Sequence, residues 1–162
     1  MSESRTDNTF TFANGRTVSI TRVSPLTLQS VERSVPRPQP PMQPTDLGPE
    51  PNYAHPDYVR AVGEWTAKIN EVSLDTMLLF GVEADIDEES LEKARAKAGR
   101  AGITLPDDDH LCYLKHVCIG SLEELTRLRA AILDTSLPTE EKIADAGDSF
   151  KSDVEGQADP QG

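Results

Sequence analysis

Two cysteines, one tryptophan and an aromatic content of 5% leave this chain little with which to build a large core or a thiol-based site. Cys112 and Cys118 are six residues apart in a segment that reads as helix. At about 1.5 Å of rise per residue their Cα atoms would stand about 9 Å apart, beyond disulfide reach. Packed, reduced thiols are the expectation. Basic residues are also scarce, with 16 Lys and Arg against 28 Asp and Glu, for a formal net charge of -12. Such a surface repels phosphate backbones and anionic lipid, which argues against nucleic-acid and membrane partners. No run approaches the roughly 18 apolar residues of a membrane span. The polar segment from Met1 to Asn8, with Glu3 and Asp7, lacks the basic-then-apolar pattern of a signal peptide, so a cytoplasmic location is expected. Hydrophobic residues make up 36% of the 162. With glycine added the share reaches only about 42%, slightly under the usual 45–50%. A core is expected that does not use the whole length.

Proline is what the chain has in excess. Eight of its 12 prolines fall between Pro36 and Pro56 and divide the sequence in two. Before them, Phe10 and Phe12 alternate with Thr9 and Thr11, and Val18 and Ile20 share a parity. Asn14-Gly15 sits between these runs and favours a type I′ turn, so a β-hairpin is predicted. Such a hairpin is marginal alone and must pack on something. Ser24 can cap a short helix with Pro25 at its first position, and Leu28, Val31 and Val35 make its apolar stripe. Residues 9–35 are thus expected to form one hairpin-plus-helix unit. From 36 to 51 proline is expected to forbid both regular helix and sheet, and 36–55 reads as a linker without regular structure, in a polyproline II path. It reads as a semi-rigid spacer draped over its own domain, with an SH3 or WW ligand as the lesser reading.

After the linker, 56–150 reads as a helical domain of about five helices, with 1–8 and 151–162 as disordered ends, the latter an acidic tail. Tyr58, Val62, Trp65, Ile69 and Val72 recur at spacings of 4, 3, 4 and 3, a continuous apolar seam. This seam is expected to be core, with Trp65 buried and its loss to alanine costing about 3–5 kcal/mol. The other reading makes the seam a partner-docking face. Gly81 is a candidate helix stop. Asp87 is a candidate cap for a surface helix poor in large apolar residues. Leu111, Leu114, Val117 and Cys118 form a stripe in the helix after Pro106. Ser121 and Glu124 make a capping box for a helix with Leu122, Leu125, Leu128 and Ile132 inward. Thr139 caps a last helix carrying Ile143, Ala146 and Phe150. The fold class is therefore mainly α with a small N-terminal hairpin.

No catalytic constellation stands out, so no enzyme activity and no cofactor are expected. The acidic run 83–89 lacks the glycine and closing glutamate of a calcium loop and reads as a solvated helix start. Cys112 and His116 are one helical turn apart and supply at most two zinc ligands where a structural site needs four, so no metal is expected. His55 precedes a proline and reads as exposed. The Met77–Phe80 region and the Leu122–Ile132 helix carry more large apolar residues than a small body needs to bury. Met77, Leu78, Leu79 and Phe80, with Leu122, Leu125, Leu128 and Ile132, are the candidate partner-binding residues.

The order of these features resembles a known family. Phe-Thr-Phe-Ala-Asn-Gly-Arg-Thr-Val-Ser-Ile is followed by Val23-Ser24-Pro25-Leu26-Thr27-Leu28 and a Pro-Pro segment. Asn52-Tyr53-Ala54-His55-Pro56-Asp57-Tyr58 then leads a helix with Glu64-Trp65, and Leu137-Pro138-Thr139-Glu140-Glu141-Lys142-Ile143-Ala144 and Phe150 close the chain. Across most of 9–155 this is similar to tail assembly chaperones of long-tailed bacteriophages. The resemblance implies a non-catalytic role: binding the tape-measure protein and helping tail-tube subunits polymerise around it. The tail-tube protein and a second copy of the chain are further candidate partners. The alternative is a structural virion component, a minor tail or connector protein. No site residue transfers, because the role has no catalytic motif.

Overall fold

The computed structural model describes residues 8–137. The helix expected over 139–150 and most of both ends lie outside them. Helix predominates, as the periodicities require. Strands β1 (Thr9–Thr11) and β2 (Thr17–Ile20) form the N-terminal hairpin and are followed by α1 (Pro25–Ser34). Two more strands, β3 (Met42–Thr45) and β4 (Gly48–Pro51), precede the 26-residue α2 (Pro56–Gly81). The two-residue β5 (Val82–Glu83) continues directly from it. Then come α3 (Glu88–Ala101), α4 (Asp109–Tyr113) running into a π-helical turn Leu114–Cys118, and α5 (Leu122–Ser136).

The helix boundaries follow local chemistry. Ser24, Asp87 and Ser121 cap α1, α3 and α5, each side chain accepting a backbone N–H of the first turn. Asp108 does the same for α4. His55, expected exposed, is half-buried and caps α2, its Nδ1 accepting the Asp57 N–H at 3.2 Å. Gly102 ends α3 in the left-handed conformation, φ 68°. Gly81 does not act that way. It is the last residue of α2, and the next residue is already extended. Its role is close approach: a Cβ there would stand 2.7 Å from Ile132 Cγ2 and 2.9 Å from Val23 Cγ2.

The hairpin differs from expectation at its turn. Asn14 does not take positive φ, and Gly15 alone does, at 84°. The Gly15 N–H closes on the Phe12 carbonyl and the Phe12 N–H on the Arg16 carbonyl, both at 2.9 Å. Glycine therefore follows the turn as a bulge residue instead of sitting inside a two-residue type I′ turn. Nor do 9–35 and the later helices have separate cores. β2 pairs with β5, Ser19 opposite Glu83 and Ile20 opposite Val82, giving the sheet order β1-β2-β5. Phe10, Phe12, Val18 and Ile20 point from one face of that sheet into a cluster with Met77, Leu78, Leu91, Leu114, Leu128 and Ile132.

Polar ties hold the hairpin there. The Glu124 carboxylate, 6% exposed, accepts the Ala13 N–H on one oxygen and the Gly120 N–H, at 2.8 Å, on the other. The Asn14 amide donates to the carbonyls of Val117 (3.1 Å) and Cys118 (3.3 Å), which the π-helical end leaves open. Arg16 donates to Tyr113 Oη and Ser90 Oγ, both at 2.8 Å, with its guanidinium over the Tyr113 ring. Turn, α3, α4 and α5 thus meet at one place.

The linker is the second departure from expectation. Instead of lacking regular structure, residues 42–51 form a two-stranded hairpin. Its prolines fall on alternate pairs, Pro44 opposite Pro49 and Met42 opposite Pro51, leaving Gln43–Glu50 and Thr45–Gly48 to carry the ladder. A two-stranded ribbon is all edge, where a residue without an N–H is tolerated at outward-facing positions.

Gly81→Ala forces Ile132 or Val23 aside and is expected to cost about 1–3 kcal/mol, as core overpacking does. Gly63→Ala, in the same helix with nothing within 4 Å, is expected to stabilise by about 0.5–1 kcal/mol. Urea unfolding of the pair reads both. The N–H groups of Ala13 and Gly120 hold the Glu124 carboxyl below its ordinary range. Its contribution is therefore complete above the unfolded-state value and is lost as pH falls through the lower folded value. Glu124→Gln replaces one accepting oxygen with an NH2 and leaves one of the two N–H groups without an acceptor. It should melt lower than wild type at neutral pH, and the gap should close on acidification.

Candidate functional site

The seam on α2 is where structure and sequence expectation part most. Tyr58, Val62, Trp65, Ile69 and Val72 do share one face, but all five are half-buried and none belongs to the main core. The reason is length. At 26 residues α2 spans about 39 Å, and only its last turns, through Met77, Leu78 and Gly81, reach the sheet and α5. The rest can be covered only by α1 and the chain after it. α1 packs on α2 but has 10 residues, about 15 Å, and ends before Pro36.

What remains is a groove of about 490 Å³ between α1 and α2. Leu28 and Val31 form one wall, Trp65 and Ile69 the other, with Glu32 and Arg37 at the rim. Two contacts fix the indole. Its Nε1–H donates to the Val35 carbonyl at 3.0 Å, tying the start of the proline segment to α2. The Arg37 guanidinium lies 5.6 Å from the ring centroid, in cation–π range. Among the described residues Arg37 makes no ion pair. An apolar trough with a fixed aromatic and a cation at its lip suits a helix or an aliphatic side chain flanked by acid.

The eight residues expected to bind a partner are not brought together. Met77, Leu78, Leu128 and Ile132 are core residues of the main cluster and offer no surface. Leu125 is half-buried. Phe80 (57% exposed), Leu79 and Leu122 (78%) do face solvent. Phe80 adjoins Gly81, which packs on Ile132 towards the end of α5, whereas Leu122 begins α5, so the two lie at opposite ends of that helix. Trp65 and Ile69 enter only through the alternative reading of the seam as a docking face, and Leu28, Val31 and Arg37 are not legible as site residues from sequence. The signal is a long seam facing a much shorter apolar stripe.

The carboxylates at the helix starts have structural partners. Asp109 pairs with Arg95 at 2.6 Å, Asp108 caps α4, and Asp87 binds Ser90 and Arg16. Cys112 and Cys118 are free and buried, and burial pushes both thiols up, towards the unreactive neutral form. His116 is exposed while Cys112 is not, so they do not face a common site. Among the described residues no group of three or more His, Cys, Asp or Glu is placed to hold a metal ion. No described helix is long and apolar enough to cross a membrane. No family model, curated protein or solved structure matches the chain.

Because Trp65 is half-buried, Trp65→Ala should cost less than the about 3–5 kcal/mol of a fully buried tryptophan. Trp65→Phe keeps a ring in the groove but orphans the Val35 carbonyl. It is expected to cost about 0.5–1.5 kcal/mol in chemical denaturation.

Proposed function

We propose that this protein is a non-catalytic assembly chaperone for a long-tailed bacteriophage, working in the host cytoplasm. It holds an apolar helical segment of the tape-measure protein until tail-tube subunits enclose it. The observation that supports this most is the open α1–α2 groove, an apolar trough on a helix that the protein's own core leaves half-covered. A helix laid there would bury apolar residues against Leu28, Trp65 and Ile69. The acidic surface keeps a loaded complex hydrated and soluble. The ordering of hairpin, proline segment and Pro-Asp-Tyr helix start adds the family resemblance.

Co-expression tests the reading. A tape-measure fragment that precipitates alone should become soluble and co-purify with the wild-type chain. Ile69→Glu should abolish co-purification, because it places a carboxylate on the groove wall. Binding driven by burial should change little with salt. A fragment that precipitates equally with and without the chain, together with the chain's presence in washed virions, would favour the structural-component role instead.

A further inference from the structure

Residues 42–51 build a projecting arm. Its strands contact chiefly each other, and among the described residues no other element packs extensively on them. An isolated two-stranded hairpin is marginal in water. This one nevertheless presents Leu47, 94% exposed, at its tip, and Met42, 60% exposed, on its side. The two-residue turn Asp46-Leu47 is set by Thr45, whose Oγ1 accepts the Leu47 N–H and donates to the Gly48 carbonyl. An apolar side chain is therefore held at the end of a short ladder with Asp46 beside it and Glu50 behind it. Neither carboxylate has an ion pair among the described residues.

The groove has the complementary pattern: an apolar trough beside Trp65, with the unpaired Arg37 at its lip. Glu32, on the rim as well, repels acid and so sets the orientation, with the Asp46 side of the tip towards Arg37. The chain does not fill its own groove with its own tip. The arm's base is closed by the Asn52 N–H on the Pro41 carbonyl, and the tip stands about 13 Å further out along four residues of strand.

We infer that the 42–51 arm docks, Leu47 first, in the α1–α2 groove of a second copy of this chain. Each copy then offers one arm and one groove. The contact is heterologous and builds a ring or an open chain of copies instead of stopping at a symmetric pair. A groove filled by an arm is closed to any other helix.

The test uses the full-length chain alone, so its outcome is independent of whether the tape measure is the client. Sedimentation equilibrium should show the mass of the wild-type chain rising with concentration. Leu47→Glu and Ile69→Glu should each be monomeric, with association weakened at least about tenfold. Mixed one to one they should form a dimer and nothing larger, because one variant keeps an intact groove and the other an intact arm. Circular dichroism checks that Ile69→Glu is folded. Arg37→Glu and Asp46→Lys provide a second route that leaves the apolar wall untouched. Each alone should weaken association, and both together in one chain should restore it. A wild-type chain that stays monomeric to millimolar concentration would overturn the inference. So would a Leu47→Glu chain that associates like wild type, folded single variants that fail to pair when mixed, or a charge swap without rescue.

Discussion

The turn at Phe12–Gly15 is the point on which the rest of the structure depends. Its Ala13 N–H rests on the buried Glu124 carboxylate, and its Asn14 amide spans the open carbonyls at the end of the π-helical turn. A charge so little exposed is tolerable only because both its oxygens accept backbone N–H groups. Through that clamp the hairpin gains the support it lacks alone, and β2 is held where β5 can add to it. The pairing of β2 with β5 sets where α2 must end, and Gly81 lets that end press against Ile132 and Val23. One small core results, shared by the first residues and the last described helix.

That economy has a consequence at the other end of α2. A chain with 5% aromatic residues cannot wrap a helix of about 39 Å in core on every side. The core uses the bulky side chains near the sheet, and the N-terminal half of α2 is left to α1 and the proline segment. A tie from Trp65 to Val35 keeps that cover in place without closing it. The groove and the arm are thus two products of the same shortage, both lying outside the core. Self-docking would cover each of them with the other.

Much of the fold was legible because it is local. Ser24, Asp87 and Ser121 announce helix starts by chemistry confined to one turn, and the alternation of Phe10, Phe12, Val18 and Ile20 gives the buried face of the sheet. The parts that escaped are decided at a distance. Val82–Glu83 is too short to read as a strand, and becomes one only because Ser19 and Ile20 are brought beside it. Proline in 42–51 argues against sheet from sequence, but it bars only the ladder positions, and the residues between can pair. The seam is legible as a stripe but its half-burial is not, since nothing within a helix tells whether its partner is long enough to cover it. For the same reason Met77 and Leu78 could not be separated from Leu79 and Phe80. All four are large and apolar, and only the position of the sheet and α5 decides which two are enclosed.

A single core, clamped at the turn, carries an arm that is not part of it. Native-state hydrogen exchange on the dilute monomer tests this most directly. The amides of β1, β2, α4 and α5 should open together, with the free energy of global unfolding, while those of Gln43 and Glu50 in the arm exchange by local opening and far faster. An N-terminal hairpin that opens independently of α5, or an arm as protected as the core, would contradict the account.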